Sequence, residues 1–248
     1  MPSLTVAPKP YTVAEKEDAP GSYAVNKVTE VDQRIVSIIG DVLQNLRSAL
    51  DHLTIHLLCI RLGVDKTDRE SHFPVRDTAD KYKTKMEGVE QTLGKDVADL
   101  MRAVEAHEGG NGHLIWVLHR LNNIDKHRII VAVGSGNRSI NLGGIGLRSH
   151  APFWQSLKDQ GIIQADTPVP VLSAFFKPAD NLCPLKVGDV LLTGVSRNEV
   201  DVDNDFRFEI AFNEPGFSEG DPIIKTLQKM RDLVSATVDS FRPCLSKT

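Results

Sequence analysis

The sequence predicts an α+β fold, because helical and strand-like patterns occupy separate blocks of the chain. From about residue 26 to residue 128, apolar residues recur every three or four positions, which is the period of a buried helix face. Short β-rich runs separated by Gly, Pro, Asn and Asp follow, and the helical period returns after Asp221. We therefore expect a bundle of four or five helices, with an antiparallel β-sheet inserted before the C-terminal helix.

The chain is expected to divide into an N-terminal arm and one α+β domain. Residues 1–25 contain several Pro and Gly residues and show no sustained period, so they predict a flexible arm, or a strand laid on the body by its Val and Tyr side chains. Residues 26–248 form the domain, with a helical bundle at 26–128, a β-rich part at 129–215, and a C-terminal helix at 221–243 packing back on the bundle. Two independent domains are the alternative.

Individual elements follow from local signals. The first helix is expected from Asn26 to Leu62, with Gly63 as its C-terminal stop. The segment His72–Val75 should be extended, because Pro74 disfavours helix in the residue before it. Further helices are predicted at 78–94, 95–107, 113–128 and 154–160, and strands at 129–133, 139–147, 169–177, 190–195 and 206–212. Asp221 and Pro222 are suited to the N-cap and first position of the last helix.

Composition and charge narrow the function classes. The chain has 248 residues, 41% of them apolar and 25% charged, as in ordinary globular proteins. A net charge of -4 and an aromatic content of 6% argue against a global cationic field or an aromatic platform for nucleic acid, but leave room for a local basic patch. The sequence has no CxxC pair, no secretory leader and no apolar run of membrane-spanning length. We expect a soluble cytoplasmic protein with no membrane partner.

One face of the first helix carries an unusual set of polar residues. From Asn45 to His56 it contains no Lys or Glu, and Arg, Asn, Ser, Asp and His are present instead. Several of these are weak helix formers, which indicates a role beyond helix formation. The other interpretation is the solvent side of an amphipathic helix. The polar arc consists of Asp41, Gln44, Asn45, Arg47, Ser48, Asp51, His52 and His56, and Arg47 and Asp51 are spaced to form an i,i+4 pair.

The segment from Arg47 to His52 resembles the motif of the HEPN superfamily, helical RNA- and nucleotide-associated domains in which an Arg precedes a His by four to six residues. Many members are metal-independent ribonucleases. The resemblance implies that Arg47 stabilises a phosphate, that His52 acts as general base or acid, and that the protein is a homodimer acting on RNA or a nucleotide. It implies no cofactor and no metal, and a place in toxin or phage-defence systems. Ser48 stands where Asn, Asp or His is commoner.

A second polar group lies where helix gives way to strand. His119, Asn123 and His127 are spaced i, i+4, i+8, and the segment Asn123–Arg128 is rich in charge. A capped helix end is one interpretation. The other is a cationic pocket for an anion, which is the basis of an alternative function as a non-catalytic small-anion sensor or scaffold. This segment and 45–52 also resemble stretches of a set of bacterial proteins that bring no activity with them. The expected supporting residues are Asn45, Asp51, His56, Asn123, Asp125, Lys126, His127 and Arg128.

A metal site is a further alternative built on the same helix. His52 and His56 are one turn apart, which is the spacing of two metal ligands on a helix face. Asp51, His119 or His127 would supply the third ligand of a helical-bundle metal-dependent enzyme. The sequence contains no HExxH motif, so this alternative ranks below the ribonuclease hypothesis.

Overall fold

The computed structural model describes residues 10–63, 72–127, 132–168, 174–176, 184–214, 216 and 218–245. Helices are combined with two small antiparallel sheets, which confirms the mixed class predicted from the sequence. The chain divides into two compact units. Unit 1 comprises residues 1–31, 132–215 and 219–222, and unit 2 comprises residues 32–131, 216–218 and 223–248.

The described elements alternate between strand-rich and helix-rich stretches. The strands are β1 (Tyr11–Lys16), β2 (Ala19–Val28), β3 (Ala132–Asn141), β4 (Phe175–Phe176), β5 (Val190–Leu192), β6 (Phe206–Glu214) and β7 (Ser218–Pro222). The helices are α1 (Gln33–Leu62), α2 (Ala79–Leu93), α3 (Lys95–Val104), α4 (His113–His127), α5 (Leu142–Ser149), α6 (Ala151–Asp159), α7 (Ile223–Ser240) and α8 (Arg242–Leu245). None of the helices in this described part combines the length and apolar character that crossing a bilayer requires.

Unit 1 is built around two sheets. One has the strand order β1-β2-β5 and the other β4-β3-β6-β7. In the second sheet β3 pairs antiparallel with β6, with Ile140 opposite Phe206. The core of the unit consists of Tyr11, Tyr23, Val25, Ile140, Ile145, Leu185, Leu191 and Phe206.

The N-terminal residues differ from the predicted flexible arm. Residues 11–28 form a β-hairpin, the other form that the sequence allowed, in which Tyr11 and Tyr23 are almost fully buried. The predicted first helix therefore begins at Gln33 rather than at Asn26. Val28, which fits the helical period, is instead the last residue of β2. The helix starts where Asp32 caps it by accepting a hydrogen bond from the backbone N–H of Arg34.

The predicted strand over 139–147 is also shorter than expected, because α5 begins at Leu142. The Asn141 side chain accepts a hydrogen bond from Gly144 N and so caps this helix. A Cβ on Gly144 would lie 2.3 Å from Asn141 Nδ2, so only glycine permits this close approach. The strand predicted at 129–133 and the one predicted at 169–177 lie partly outside the described residues.

Unit 2 contains the long helix α1, 30 residues in length, which ends at the predicted Gly63 in a left-handed conformation with φ 64°. Helices α2, α3 and α4 match the predicted segments within a few residues. Within this unit α1 contacts α4 and α7, and α7 contacts α4. The C-terminal helix thus returns to the other helices as the sequence predicted, although it begins at Ile223 and Pro222 belongs to β7.

Candidate functional site

The site begins at Arg47 of α1, whose side chain is buried. Its Nη2 group donates a hydrogen bond to the carbonyl oxygen of Phe73 at 2.9 Å and forms an ion pair with Asp51, 2.8 Å from Oδ1. Asp51 Oδ1 also accepts a hydrogen bond from Phe73 N at 2.9 Å. We call this arrangement the Phe73 clamp. The sequence placed both residues on the polar arc of the first helix, and the segment that contains Phe73 lies over this part of the helix.

Burial sets the electrostatics of the clamp. It lowers the pKa of the Arg47 guanidinium, and the nearby Asp51 carboxylate acts in the opposite direction. Arginine stays charged even so, because its ordinary pKa is far above neutrality. The Asp51 carboxylate therefore faces a permanent cation on one side.

His72 contacts Oδ2, the other oxygen of the Asp51 carboxylate. His72 Nδ1 lies 3.0 Å from Asp51 Oδ2, while 68% of the His72 side chain remains exposed. A carboxylate can only accept a hydrogen bond, so Nδ1 of His72 carries the proton in this pair. Its Nε2 is then the nitrogen that can accept a proton.

These side chains line a cleft of about 320 Å³ in unit 2. It is bordered by the segment 73–76, by Lys85 of α2 and by α4. Three basic side chains and one carboxylate line it, so its net charge is positive. The lining consists of Arg47, Asp51, His72, Phe73, Pro74, Val75, Arg76, Lys85, His119, Asn122 and Asn123. A side cavity of about 190 Å³ shares His72, Pro74 and Lys85 with it.

Two basic side chains of the cleft, Arg47 and Lys85, have a donor group without an acceptor among the described residues. Arg47 Nη1 is buried without a hydrogen-bond partner, and so is the Oδ1 atom of Asn122. An unsatisfied buried polar group costs about 1–3 kcal/mol, so an acceptor that reached Nη1 would relieve an existing penalty at Arg47. Lys85 is half-buried, and no carboxylate of the described part pairs with it.

The structure separates the two predicted catalytic residues. Arg47 lies in the cleft wall, whereas His52 is exposed and is not among the described residues that line the cleft. Five residues along a regular helix turn the side chain by about 140°, so His52 leaves the helix in a different direction. Asn45 and His56 are exposed as well, whereas Asp51 is half-buried.

Of the second polar group predicted from the sequence, only His119 and Asn123 are among the described residues that line the cleft. Asn123 lies in the lining, and its Nδ2 is 3.0 Å from His119 Nε2. Asp125 is half-buried against α1, where burial and then the charge of Asp41 raise its pKa. The side chains of Lys126 and His127, and Arg128 as a whole, lie outside the described residues.

The expected catalytic and supporting residues did not include His72, Arg76, Lys85 or Asn122. A signal for the clamp was nevertheless present. Pro74 makes Phe73 extended, and the backbone groups of a buried extended residue need hydrogen-bond partners. For Lys85 and Asn122, no local sequence pattern indicates a place at the cleft, because only the packing of α2 and α4 brings them there.

The described residues give the metal alternative no third ligand. No group of three His, Cys, Asp or Glu side chains in this part of the chain is arranged to hold a metal ion. His52 and His56 are therefore two exposed side chains on one helix face.

Comparisons with known proteins identify no relative of this chain, so the evidence on function comes from the geometry of the cleft. No protein-family model, no curated protein and no solved structure matches the chain. The likeness to the HEPN superfamily therefore rests on the Arg47–His52 spacing and the helical character of that region.

Proposed function

We propose that the cleft of unit 2 binds a phosphate group of RNA or of a nucleotide, and that the protein is a HEPN-like RNA- or nucleotide-binding protein. One observation carries this proposal. Arg47 and Lys85 line the same cleft, Arg47 Nη1 has no acceptor among the described residues, and no carboxylate of the described part pairs with Lys85.

The chemistry of the cleft suits a phosphate. Its oxygens are strong acceptors, and hydrogen bonds from charged donors are about twice as strong as those between neutral groups. The Phe73 clamp already fixes the Arg47 side chain, so a ligand would lose little side-chain entropy in binding there. Arg76, which is exposed, adds positive charge at the cleft.

The dimensions of the cleft favour a small ligand or one nucleotide of a single strand. Small-molecule sites usually occupy about 300–1,000 Å³, and this cleft of about 320 Å³ lies at the lower end. A duplex-binding surface would need several phosphate contacts and a broad positive face. The net charge of -4 is consistent with a local site rather than such a face.

Binding can be tested with three probes: a 2′-O-methyl oligoribonucleotide, AMP and inorganic phosphate. Lys85→Gln should weaken binding of the preferred probe about tenfold, equivalent to about 1.4 kcal/mol. Lys83→Gln is the matched control, since Lys83 is an exposed residue of the same helix that borders neither cavity. Fluorescence anisotropy and calorimetry give the affinities. Absence of binding for all three probes, or equal losses in the two variants, would exclude the proposal.

Metal-independent RNA cleavage is the second candidate function. The presence of Arg47 and a histidine in one cleft favours it, because cleavage by the 2′-hydroxyl needs a base and a cation rather than a metal. For the sequence-predicted pair of Arg47 and His52, the exposed His52 would have to enter the cleft of a second protomer. Light scattering tests the homodimer. Mixing Arg47→Lys and His52→Gln proteins tests whether one active site forms across it.

Binding without turnover would instead indicate a small-anion sensor that uses the same cleft. If the protein is a ribonuclease, we propose a role in toxin or phage-defence systems. This role predicts that expression of the protein arrests bacterial growth, and that expression of a variant unable to cleave RNA does not.

A further inference from the structure

We propose that His72, oriented by Asp51, is the general base that removes the 2′-hydroxyl proton when an RNA phosphodiester is cleaved in the cleft. This inference rests on the proposed function, because it requires RNA to bind there. It assigns the base to a histidine outside the Arg47–His52 motif.

The carboxylate of Asp51 gives His72 the features of an oriented base. The 3.0 Å contact between Asp51 Oδ2 and His72 Nδ1 holds the proton on Nδ1 and leaves the Nε2 lone pair for the substrate. The ring is 68% exposed, so a ligand in the cleft can approach it. The next residue, Phe73, is fixed through both its N–H and its carbonyl by the clamp, which restricts the backbone that carries the imidazole.

The same carboxylate links the base to the cation. Asp51 Oδ1 forms an ion pair with Arg47, so one carboxylate contacts both the guanidinium and the imidazole. His52 has no comparable arrangement, since no carboxylate of the described residues forms an ion pair or hydrogen bond with its exposed side chain. A general base works best when a third group fixes its orientation.

The reaction step balances without a metal or a redox partner. The 2′-hydroxyl proton passes to His72 Nε2 as the 2′-oxygen forms a bond to phosphorus. The bond from phosphorus to the 5′-oxygen breaks, and this oxygen takes a proton from water. His72 then releases its proton to solvent. The products are a 2′,3′-cyclic phosphate and a 5′-hydroxyl, and Arg47 and Lys85 stabilise the charge that develops on the phosphoryl oxygens.

The test compares cleavage of a labelled oligoribonucleotide by the full chain and its variants under single-turnover conditions. His72→Gln should lower the cleavage rate by about 10²-fold or more while binding of the 2′-O-methyl oligoribonucleotide changes by less than about twofold. Because His72 is largely exposed, its replacement should leave the thermal unfolding curve unchanged. His150→Gln is the control, since His150 is an exposed histidine of unit 1.

Two further readouts separate chemistry from structure. Free imidazole should restore part of the cleavage rate of His72→Ala, which a purely structural histidine would not allow. Asp51→Asn should lower kcat, because it removes the carboxylate that orients His72, and it should also raise KM, because Asp51 pairs with Arg47.

The outcomes distinguish this inference from the proposed function. Cleavage by His72→Gln within about threefold of the parent chain, or loss of cleavage in His52→Gln alone, would overturn the assignment of His72 and leave phosphate binding intact. Binding of the 2′-O-methyl probe with no cleavage of the matching RNA would have the same consequence. Failure to bind any RNA probe would remove the proposed function and this inference together.

Discussion

Arg47 and Asp51, one turn apart on α1, hold both backbone groups of a single residue. Arg47 Nη2 donates to the carbonyl oxygen of Phe73, and Asp51 Oδ1 accepts from Phe73 N. Phe73 is buried and lies in neither a helix nor a strand, so its backbone has no partner from secondary structure. An ion pair on a helix thus replaces the hydrogen bonds that a neighbouring strand would supply.

The first prediction concerns this ion pair. Arg47→Met should lower the free energy of unfolding by about 3 kcal/mol, because it removes the cation paired with Asp51 and the donor to the Phe73 carbonyl. Arg242→Met is the control, since Arg242 forms an exposed pair with Asp239 and should change stability by less than about 1 kcal/mol. Chemical denaturation of both variants measures the difference. Equal effects would show that the clamp contributes no more than a surface ion pair.

The second prediction concerns the contact between α1 and α4 at Gly40. A Cβ on this glycine would lie 2.6 Å from Asp125 Oδ2, so the Asp125 carboxylate would have to move, and Gly40→Ala should be less stable than Gly88→Ala by about 1 kcal/mol. Gly88→Ala is a matched helical control, because a Cβ there meets nothing within 4 Å, and this variant should be neutral or stabilised by about 0.5–1 kcal/mol. Thermal unfolding separates the two. Truncation of Asp125 to Ala should partly rescue Gly40→Ala, and lack of rescue would argue against this contact as the cause.

The third prediction follows from the raised pKa of Asp125, which results first from burial and then from the charge of Asp41. A raised pKa means that the folded state favours the neutral acid. The associated stability is present below the ordinary pKa of 3.8 and is lost as the pH rises through the folded pKa. Asp125→Asn should therefore raise the melting temperature at pH 7 and leave it nearly unchanged at pH 3.

Melting curves of Asp125→Asn across this pH range provide the measurement. Asp41→Asn should give a smaller gain at neutral pH, because it removes only the secondary cause of the shift. A difference between parent and Asp125→Asn that does not vary with pH would contradict the assignment.

The fourth prediction concerns Tyr82 of α2. Its hydroxyl donates to the carbonyl oxygen of Met101 at 2.5 Å, and burial raises the pKa of Tyr82 to about 12. Tyr82→Phe should cost about 1–2 kcal/mol of stability, since it leaves a buried carbonyl without this donor. For the parent chain, the stability contributed by the neutral phenol is present below pH 10 and is lost as the pH rises toward 12.

Phenolate absorbance tests this directly. The difference titration between the parent chain and Tyr82→Phe should show one tyrosine that ionises near pH 12. A group that titrates near pH 10 would show that Tyr82 is accessible to water in solution.

The helices of unit 2 could largely be predicted from the sequence, because their apolar period and end signals are local. Gly63 ends α1, and α4 begins at His113, as predicted. The N-terminal hairpin was less predictable. The apolar residues of β2, Tyr23, Ala24 and Val25, are consecutive rather than alternating, so period did not distinguish a strand from other structures.

The sequence by itself determined that Arg47 and Asp51 can pair, because residues four apart share a helix face whatever else the chain does. Only the tertiary structure decided that Arg47 of this pair is buried, that the pair holds Phe73, and that His72 rather than His52 shares the cleft with Arg47. The physical reason is that spacing fixes directions around one helix, whereas burial and neighbours depend on which distant segment covers each face.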